Sequence, residues 1–154
     1  MLRLEEVSLE DPQVRELLTY HQRHMNEISP PGTSFALNLS GLATPDITIY
    51  GAWEHERLSA VGALRRMTES HVELKSMRTH VEYLGRGAAQ AILDYMLARA
   101  VEEGIQRISL ETGTSDAFKP AIAFYLKNGF QPGDAFADYF NGPHNQCYHL
   151  ELDA

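Results

Sequence analysis

Apolar residues recur along the chain with two periods, and the switches between them mark out its elements. Val14, Leu17, Leu18, His21 and Met25 fall at helical spacing, which predicts an amphipathic helix of about four turns. Leu2, Leu4 and Val7 flank acidic residues ahead of it and read as a short first strand. Ser8 or Asp11 offers the N-cap, and Pro12 suits the first helical position. Ser29-Pro30-Pro31-Gly32 must end the helix, because proline removes donors and biases its predecessor toward extended geometry. Residues 33 to 45 contain Phe35, Leu37, Leu39 and Leu42 and fit either a short helix or a loop.

From Asp46 the period shortens. Ile47, Ile49, Ala52 and Trp53 predict one strand, Leu58 through Met67 a second, and Val72, Leu74 and Ser76 a third. In the third, Glu73, Lys75, Met77 and Thr79 share the other face by simple alternation. Turns at His55–Arg57 and Thr68–Ser70 are short, so an antiparallel meander is expected. Ala88, Ala89, Ile92, Leu93, Met96, Leu97, Ala100 and Val101 then predict a long helix with a broad apolar face, closed by Gly104. Ile105 to Leu110 reads as a strand, Asp116 to Lys127 as a helix ended by Asn128-Gly129, and Gln146 to Leu150 as the last strand. The order is strand, helix, three strands, helix, strand, helix, strand. The meander should pair antiparallel and the strand–helix–strand–helix half parallel, an α/β (α+β) mixed sheet with helices on both faces. No repeat or low-complexity linker interrupts the 154 residues, so one domain over residues 1–154 is expected.

The formal charge of −8 argues against nucleic acid as a partner, since such proteins need a basic face. It suits a partner carrying positive charge, such as an amine. Cys147 stands alone and forms no internal disulfide, which points to a reducing compartment. No apolar run reaches membrane-spanning length, and Met1-Leu2-Arg3-Leu4-Glu5-Glu6 lacks the layout of a signal peptide. The expectation is a cytoplasmic protein without membrane contact.

One segment carries more chemical information than the rest. Leu84-Gly85-Arg86-Gly87-Ala88-Ala89 follows a predicted strand and opens a predicted helix. A tight glycine turn there aims several backbone N–H groups at one spot, at the positive end of the helix dipole, which suits phosphate. Small Ala88 and Ala89 let phosphates approach the backbone. A plain turn is the competing reading, because a lone glycine pattern is weak evidence.

With these residues in view, the chain resembles the GNAT superfamily of acyl-CoA-dependent N-acetyltransferases. The family's Arg/Gln-x-x-Gly-x-Gly/Ala turn corresponds to Leu84 through Ala89. Phe124-Tyr125-Leu126-Lys127-Asn128-Gly129-Phe130 looks like its Phe-Tyr-x-x-x-Gly-Phe, and Glu73 precedes Met77 on the strand before the turn. Glu73 to Thr79, Leu110-Glu111-Thr112-Gly113, Phe118 to Ala121, His24, Pro30-Pro31 and Leu37 are similar to a bacterial YsnE-like, indole-acetate-acetyltransferase-like subgroup. Leu84 departs from the family's Arg/Gln. Phe118 stands where many members carry an Asn that contacts the coenzyme arm.

The resemblance implies a mostly antiparallel sheet splayed between its fourth and fifth strands, with acetyl-CoA as co-substrate and no metal. It implies that Met77, Arg78 and Thr79 hold the pantetheine arm and that Leu84, Gly85, Arg86, Gly87, Ala88 and Ala89 hold the pyrophosphate. Phe118 and Phe124 would flank the coenzyme, and His24, Leu37, Lys75 and Tyr139 the acceptor.

Three chemical tasks need residues. Glu73 is the first candidate for the base that deprotonates the amine, through water or after desolvation, and Glu111 is its rival. A charge paired with Lys75, Arg65 or Arg66 is the plainer reading of Glu73. Tyr125 is the candidate acid for the leaving thiolate, since its ordinary pKa of about 10 keeps it protonated; a core aromatic beside Ile122 and Leu126 is the alternative. Lys75 and Arg78 fit either an acidic group on the substrate or salt bridges. His21 and His24 lie three apart, but no acidic or sulfur partner is placed with them for metal. The expected function is transfer of an acetyl group to a primary amine of a small molecule by direct attack. A non-catalytic acyl-CoA sensor and an acetyltransferase acting on a protein amine are the alternatives, and a homodimer is compatible with the fold.

Overall fold

The computed structural model describes residues 2–152. The strands are β1 (Leu2–Glu6), β2 (Ile47–Glu54), β3 (Arg57–Arg66), β4 (His71–Thr79), β5 (Arg107–Gly113), β6 (Gln131–Pro132) and β7 (Asn145–Glu151). The helices are α1 (Pro12–Ile28), α2 (Leu39–Leu42), α3 (Ala88–Glu102) and α4 (Lys119–Lys127). Among the described residues the strands form one sheet in the order β1-β2-β3-β4-β5-β7-β6. Pairing is antiparallel throughout except between β4 and β5. The expected mixed, mostly antiparallel sheet with helices on both faces is the observed fold.

Local chemistry sets the helix ends. Asp11 caps α1, its carboxylate accepting from the Gln13 and Val14 N–H groups, with Pro12 at the first turn. That satisfies donors which the helix itself leaves unpaired. Val14, Leu17, Leu18 and His21 are its buried stripe, and the three apolar members pack with Val61, Ala63 and Trp53 on one side of the sheet. Ile92, Leu93, Met96 and Ala100 of α3 pack on the other, against Tyr50, Leu64, Leu74 and Leu110. Residues 33–45 resolve into loop plus the single turn of α2.

Two expectations need correction. Among the described residues only β4–α3–β5 is a parallel crossover. The strand that follows α4 with the matching direction is the two-residue β6, and β7 returns to insert between β5 and β6, antiparallel to both. The second correction concerns β4. Ala63 pairs with Lys75 and Val61 with Arg78, so β4 carries one extra residue. Ser76 absorbs it at φ +56°, and the strand's alternation flips there, as a bulge requires. Glu73, Lys75 and Arg78 therefore face α1, whereas Met77 packs in the α3 layer. The space that a side chain at Gly62 would fill is taken by Met77 and Met96, at 2.7 and 2.6 Å from the position of a Cβ.

Past Glu73 and Ser109, β4 and β5 stop pairing with each other. β4 runs on along β3 to Thr79, and β5 along β7 to Gly113. The sheet thus opens into a V, and what lies in it defines the molecule's chemistry.

Candidate active site

A cleft of about 430 Å³ passes through this opening. Its walls come from both faces of the sheet. Met25, Ile28 and Phe35 line it on the α1 side, and Leu84, Ala89 and Phe124 on the side of α3 and α4. Among the predicted site residues, Glu73, Lys75, Met77, Arg78, Thr79, Glu111, Phe118, Tyr125 and His24 also line it. Leu37 does not: it packs with the α1 and α2 cluster. Tyr139 stands behind the wall and reaches Glu73 and Lys75 through its hydroxyl.

The edge of β4 explains how an extended ligand can be held. The His80 N–H donates to the Ser59 carbonyl at 2.8 Å, toward β3. Alternation along the strand then turns the Thr79 and Met77 N–H groups the other way, into the opening where β5 has withdrawn. Among the described residues these are strand donors without a strand partner.

The glycine turn sits at one mouth. Gly85 and Gly87 have φ of +76° and +82°, a left-handed geometry that costs an L side chain about 1–2 kcal/mol. A Cβ at either would meet no atom within 4 Å, so backbone angle, not crowding, calls for glycine, and the space above both is open. Gly87 is the N-cap of α3 and makes no side-chain cap. The first helical bond runs from Ala91 N–H to the Gly87 carbonyl. The N–H groups of Ala88, Ala89 and Gln90 are therefore left for a ligand or water. This crook fits a pyrophosphate. Leu84 is 65% exposed, and Arg86 leans away onto Glu54 (3.3 Å) and the Tyr83 ring.

The two carboxylates occupy different surroundings. Glu73 is 1% exposed. One oxygen accepts from Arg65 at 2.8–2.9 Å, and the other from Lys75 at 3.1 Å and from the Tyr139 hydroxyl. Lys75 also reaches the Tyr139 oxygen at 2.6 Å, so its ammonium is committed within this cluster. Glu111 has a single side-chain partner among the described residues, the Asn145 amide at 2.6 Å. Burial raises its pKa above the carboxylate range, opposed by the Asn145 hydrogen bond and Lys75. Asn145 is itself pinned by the Thr33 carbonyl at 2.9 Å.

Replacing Glu73 with Ala strands the Lys75 ammonium, which is 9% exposed. The expected loss is about 3–5 kcal/mol of stability, read as a lower urea midpoint; a midpoint within error of the parent's would remove Glu73 from the framework.

Across the cleft, Tyr125 projects from α4 and packs edge-on against Phe124 and Phe130. Burial raises its phenol pKa well above the usual range, with Arg78 pulling the other way. Phe118 fills the space that a side chain at Gly113 would need, its ring 2.3 Å from the position of a Cβ, and so helps fix the end of β5.

Sequence reasoning missed Phe35, Asn145 and the true setting of His21. Phe35 stacks edge-on with Tyr139, and no pattern in residues 33 to 45 marks it. Asn145 is buried beside Glu111 at a distance of 34 residues in the chain. His21 and His24 turn their Nδ1 atoms to Arg78, each at 3.0 Å. No group of three metal-ligating side chains is gathered among the described residues.

A sheet opened beside an uncapped glycine turn, with titratable groups on both walls, defines an acyltransferase of the splayed-sheet class. Comparison with known proteins agrees. The acetyltransferase (GNAT) family model matches residues 10–130. The chain is 41% identical over 152 residues to the uncharacterized N-acetyltransferase YedL of Escherichia coli (strain K12), covering 99% of this chain and 96% of that one. It is 40% identical over 133 residues to the uncharacterized N-acetyltransferase YsnE of Bacillus subtilis (strain 168), covering 86% and 88%. Among solved structures, a Klebsiella pneumoniae protein assigned as an acyl-CoA N-acyltransferase superposes with a TM-score of 0.82 at 21% identity, over 99% of both chains. The PaiA N-acetyltransferase of Thermoplasma acidophilum, solved with coenzyme A, gives 0.74 at 16%, again over 99% of both. The chain belongs to the acetyltransferase (GNAT) family. No helix among the described residues is long and apolar enough to cross a membrane.

Proposed function

We propose that the protein transfers an acetyl group from acetyl-CoA to a primary amine of a small molecule by direct attack. The observation that carries this reading is the placement of Glu111 and Tyr125 in one cleft with the unpaired Met77 and Thr79 edge. The coenzyme seen with PaiA supports the choice of acyl donor. In this reading the crook from Gly85 to Ala89 takes the pyrophosphate. The pantetheine arm lies along β4 like an added strand. The Met77 or Thr79 N–H polarises the thioester carbonyl; such a donor contributes about 3–4 kcal/mol to the transition state.

Glu111 is the better base. The oxygens of Glu73 are taken by Arg65, Lys75 and Tyr139, while Glu111 keeps lone pairs free. Its raised pKa also brings it nearer to that of an amine. The ammonium loses a proton through water to Glu111. The amine nitrogen bonds to the carbonyl carbon, the carbon–sulfur bond breaks, the Tyr125 hydroxyl supplies a proton to sulfur, and the second proton released by the acylated nitrogen returns through water to the Tyr125 oxygen. The products are an N-acetyl amide and the free thiol. Glu73, Lys75 and Tyr139 brace the wall on which the acceptor rests.

The sign of the pH effect follows. Glu111 acts when ionised, so kcat climbs with pH through a limb above the ordinary carboxylate value of about 4.3. Glu111→Gln lowers kcat by about 10²–10⁴-fold and erases that limb, while the limb from the amine's own ionisation stays. A parent-like profile in Glu111→Gln would return the role to Glu73.

A further inference from the structure

Arg78 stands out among the cations of the cleft. The other Lys or Arg that lines it, Lys75, rests on Glu73. No carboxylate lies within salt-bridge distance of the Arg78 guanidinium among the described residues. Its neighbours are neutral groups. Nε donates to His21 Nδ1 and Nη2 meets His24 Nδ1, both at 3.0 Å. The Tyr20 ring lies 5.4 Å from its centre. His21 is buried and its pKa is pushed down to about 3, so it accepts from Arg78 without adding charge.

The bulge at Ser76 is what delivers this group. Regular alternation would point residue 78 away from α1, into the layer where Met77 now packs; the extra residue turns it to the acceptor side. The histidines fix one edge of the planar fork and leave Nη1 with no hydrogen bond among the described residues, in a cleft whose α1-side wall contains Met25, Ile28 and Phe35. A half-buried guanidinium held by neutral partners keeps its outer fork open to a ligand that brings the counter-charge. A carboxylate matches that fork.

We propose that Arg78 receives the carboxylate of the acceptor, which makes the acceptor a free amino acid with an apolar side chain lying on Met25, Ile28 and Phe35. This rests on the acetyl-transfer reading above and names its substrate class. The Arg78 backbone pairs with Val61 of β3, and the side chain serves the acceptor. Lys75 takes no part, because Glu73 and Tyr139 hold it.

The test compares leucine, methionine and phenylalanine with their carboxamides, following thiol release from acetyl-CoA. At least one acid should exceed its amide in kcat/KM by about 10–100-fold, the range expected when a charged hydrogen-bond partner is removed. In Arg78→Gln the acid should fall to the level of the amide, mainly through KM, and Arg78→Lys should restore part of the preference. Calorimetry with coenzyme A alone separates the two readings. Failure of coenzyme A to bind the parent protein sinks acetyl transfer itself. If coenzyme A binds but nothing turns over, titration of the same acids and amides onto the loaded protein still reads the site: preference for the acid, lost in Arg78→Gln, sustains it. Equal binding or turnover of acid and amide overturns the proposal. So does an Arg78→Gln variant that loses coenzyme A affinity and keeps the preference, which would assign the guanidinium to the coenzyme.

Discussion

Gly87→Glu should abolish coenzyme A binding while leaving the protein folded. Position 87 has a left-handed backbone, φ +82°, with open space where a side chain would start. The substitution therefore meets strain of about 1–2 kcal/mol, not a clash. For a chain of this size such a loss lowers Tm by a few degrees, at about 2–4 °C per kcal/mol. Binding suffers far more. The carboxylate projects into the crook that holds the N–H groups of Ala88, Ala89 and Gln90, where it repels the pyrophosphate and can itself take those donors. Losing two charge-assisted hydrogen bonds at about 1.5 kcal/mol each weakens binding at least about a hundredfold. Gly87→Ala adds the strain without the charge and should lose much less. Equal losses in the two variants would mean that backbone shape, not anion repulsion, governs the site.

Tyr125→Phe should lower kcat by about 10²–10⁴-fold, the span typical of a lost general acid, with the affinity for coenzyme A little changed. Tyr125 sits on α4 at the wall of the cleft, and burial holds its phenol protonated far above neutral pH. A thiol of ordinary pKa near 8.5 would be a poor acceptor for so weak an acid, but a thiolate forming in the same dry cleft becomes more basic for the same reason. The ring of the variant keeps its edge contacts with Phe124 and Phe130, so stability should hold. Unchanged kcat, measured with a saturating acceptor by thiol release, would take Tyr125 out of the chemistry and leave it as a core aromatic.

Local features were readable in the sequence and distant ones were not. The glycine turn and the capped start of α1 were legible because each depends on a few adjacent residues with strong backbone preferences: Gly85 and Gly87 for left-handed angles, Asp11 and Pro12 for a helix start. The pairing of Glu73 with Arg65 and Lys75 was legible from neighbouring strand positions, but its burial was not, since Tyr139 closes over it from 66 residues away. The same holds for Glu111 and Asn145. Alternation misjudged the outer half of β4 because Ser76 has no strong left-handed signature, yet it hosts the bulge. That one extra residue decides which side chains see the acceptor. It turns Met77 to the α3 side of the sheet and Arg78 to the α1 side, where His21 and His24 meet it.

The most direct measurement mixes the protein with acetyl-CoA and a panel of amines and amino acids and follows free thiol, with the products weighed by mass spectrometry. The expected result is acceptor-dependent thiol release matched one for one by an N-acetylated product, greatest for an apolar amino acid. Coenzyme that binds yet yields no thiol with any acceptor, or thiol released without an acetylated amine, would contradict it.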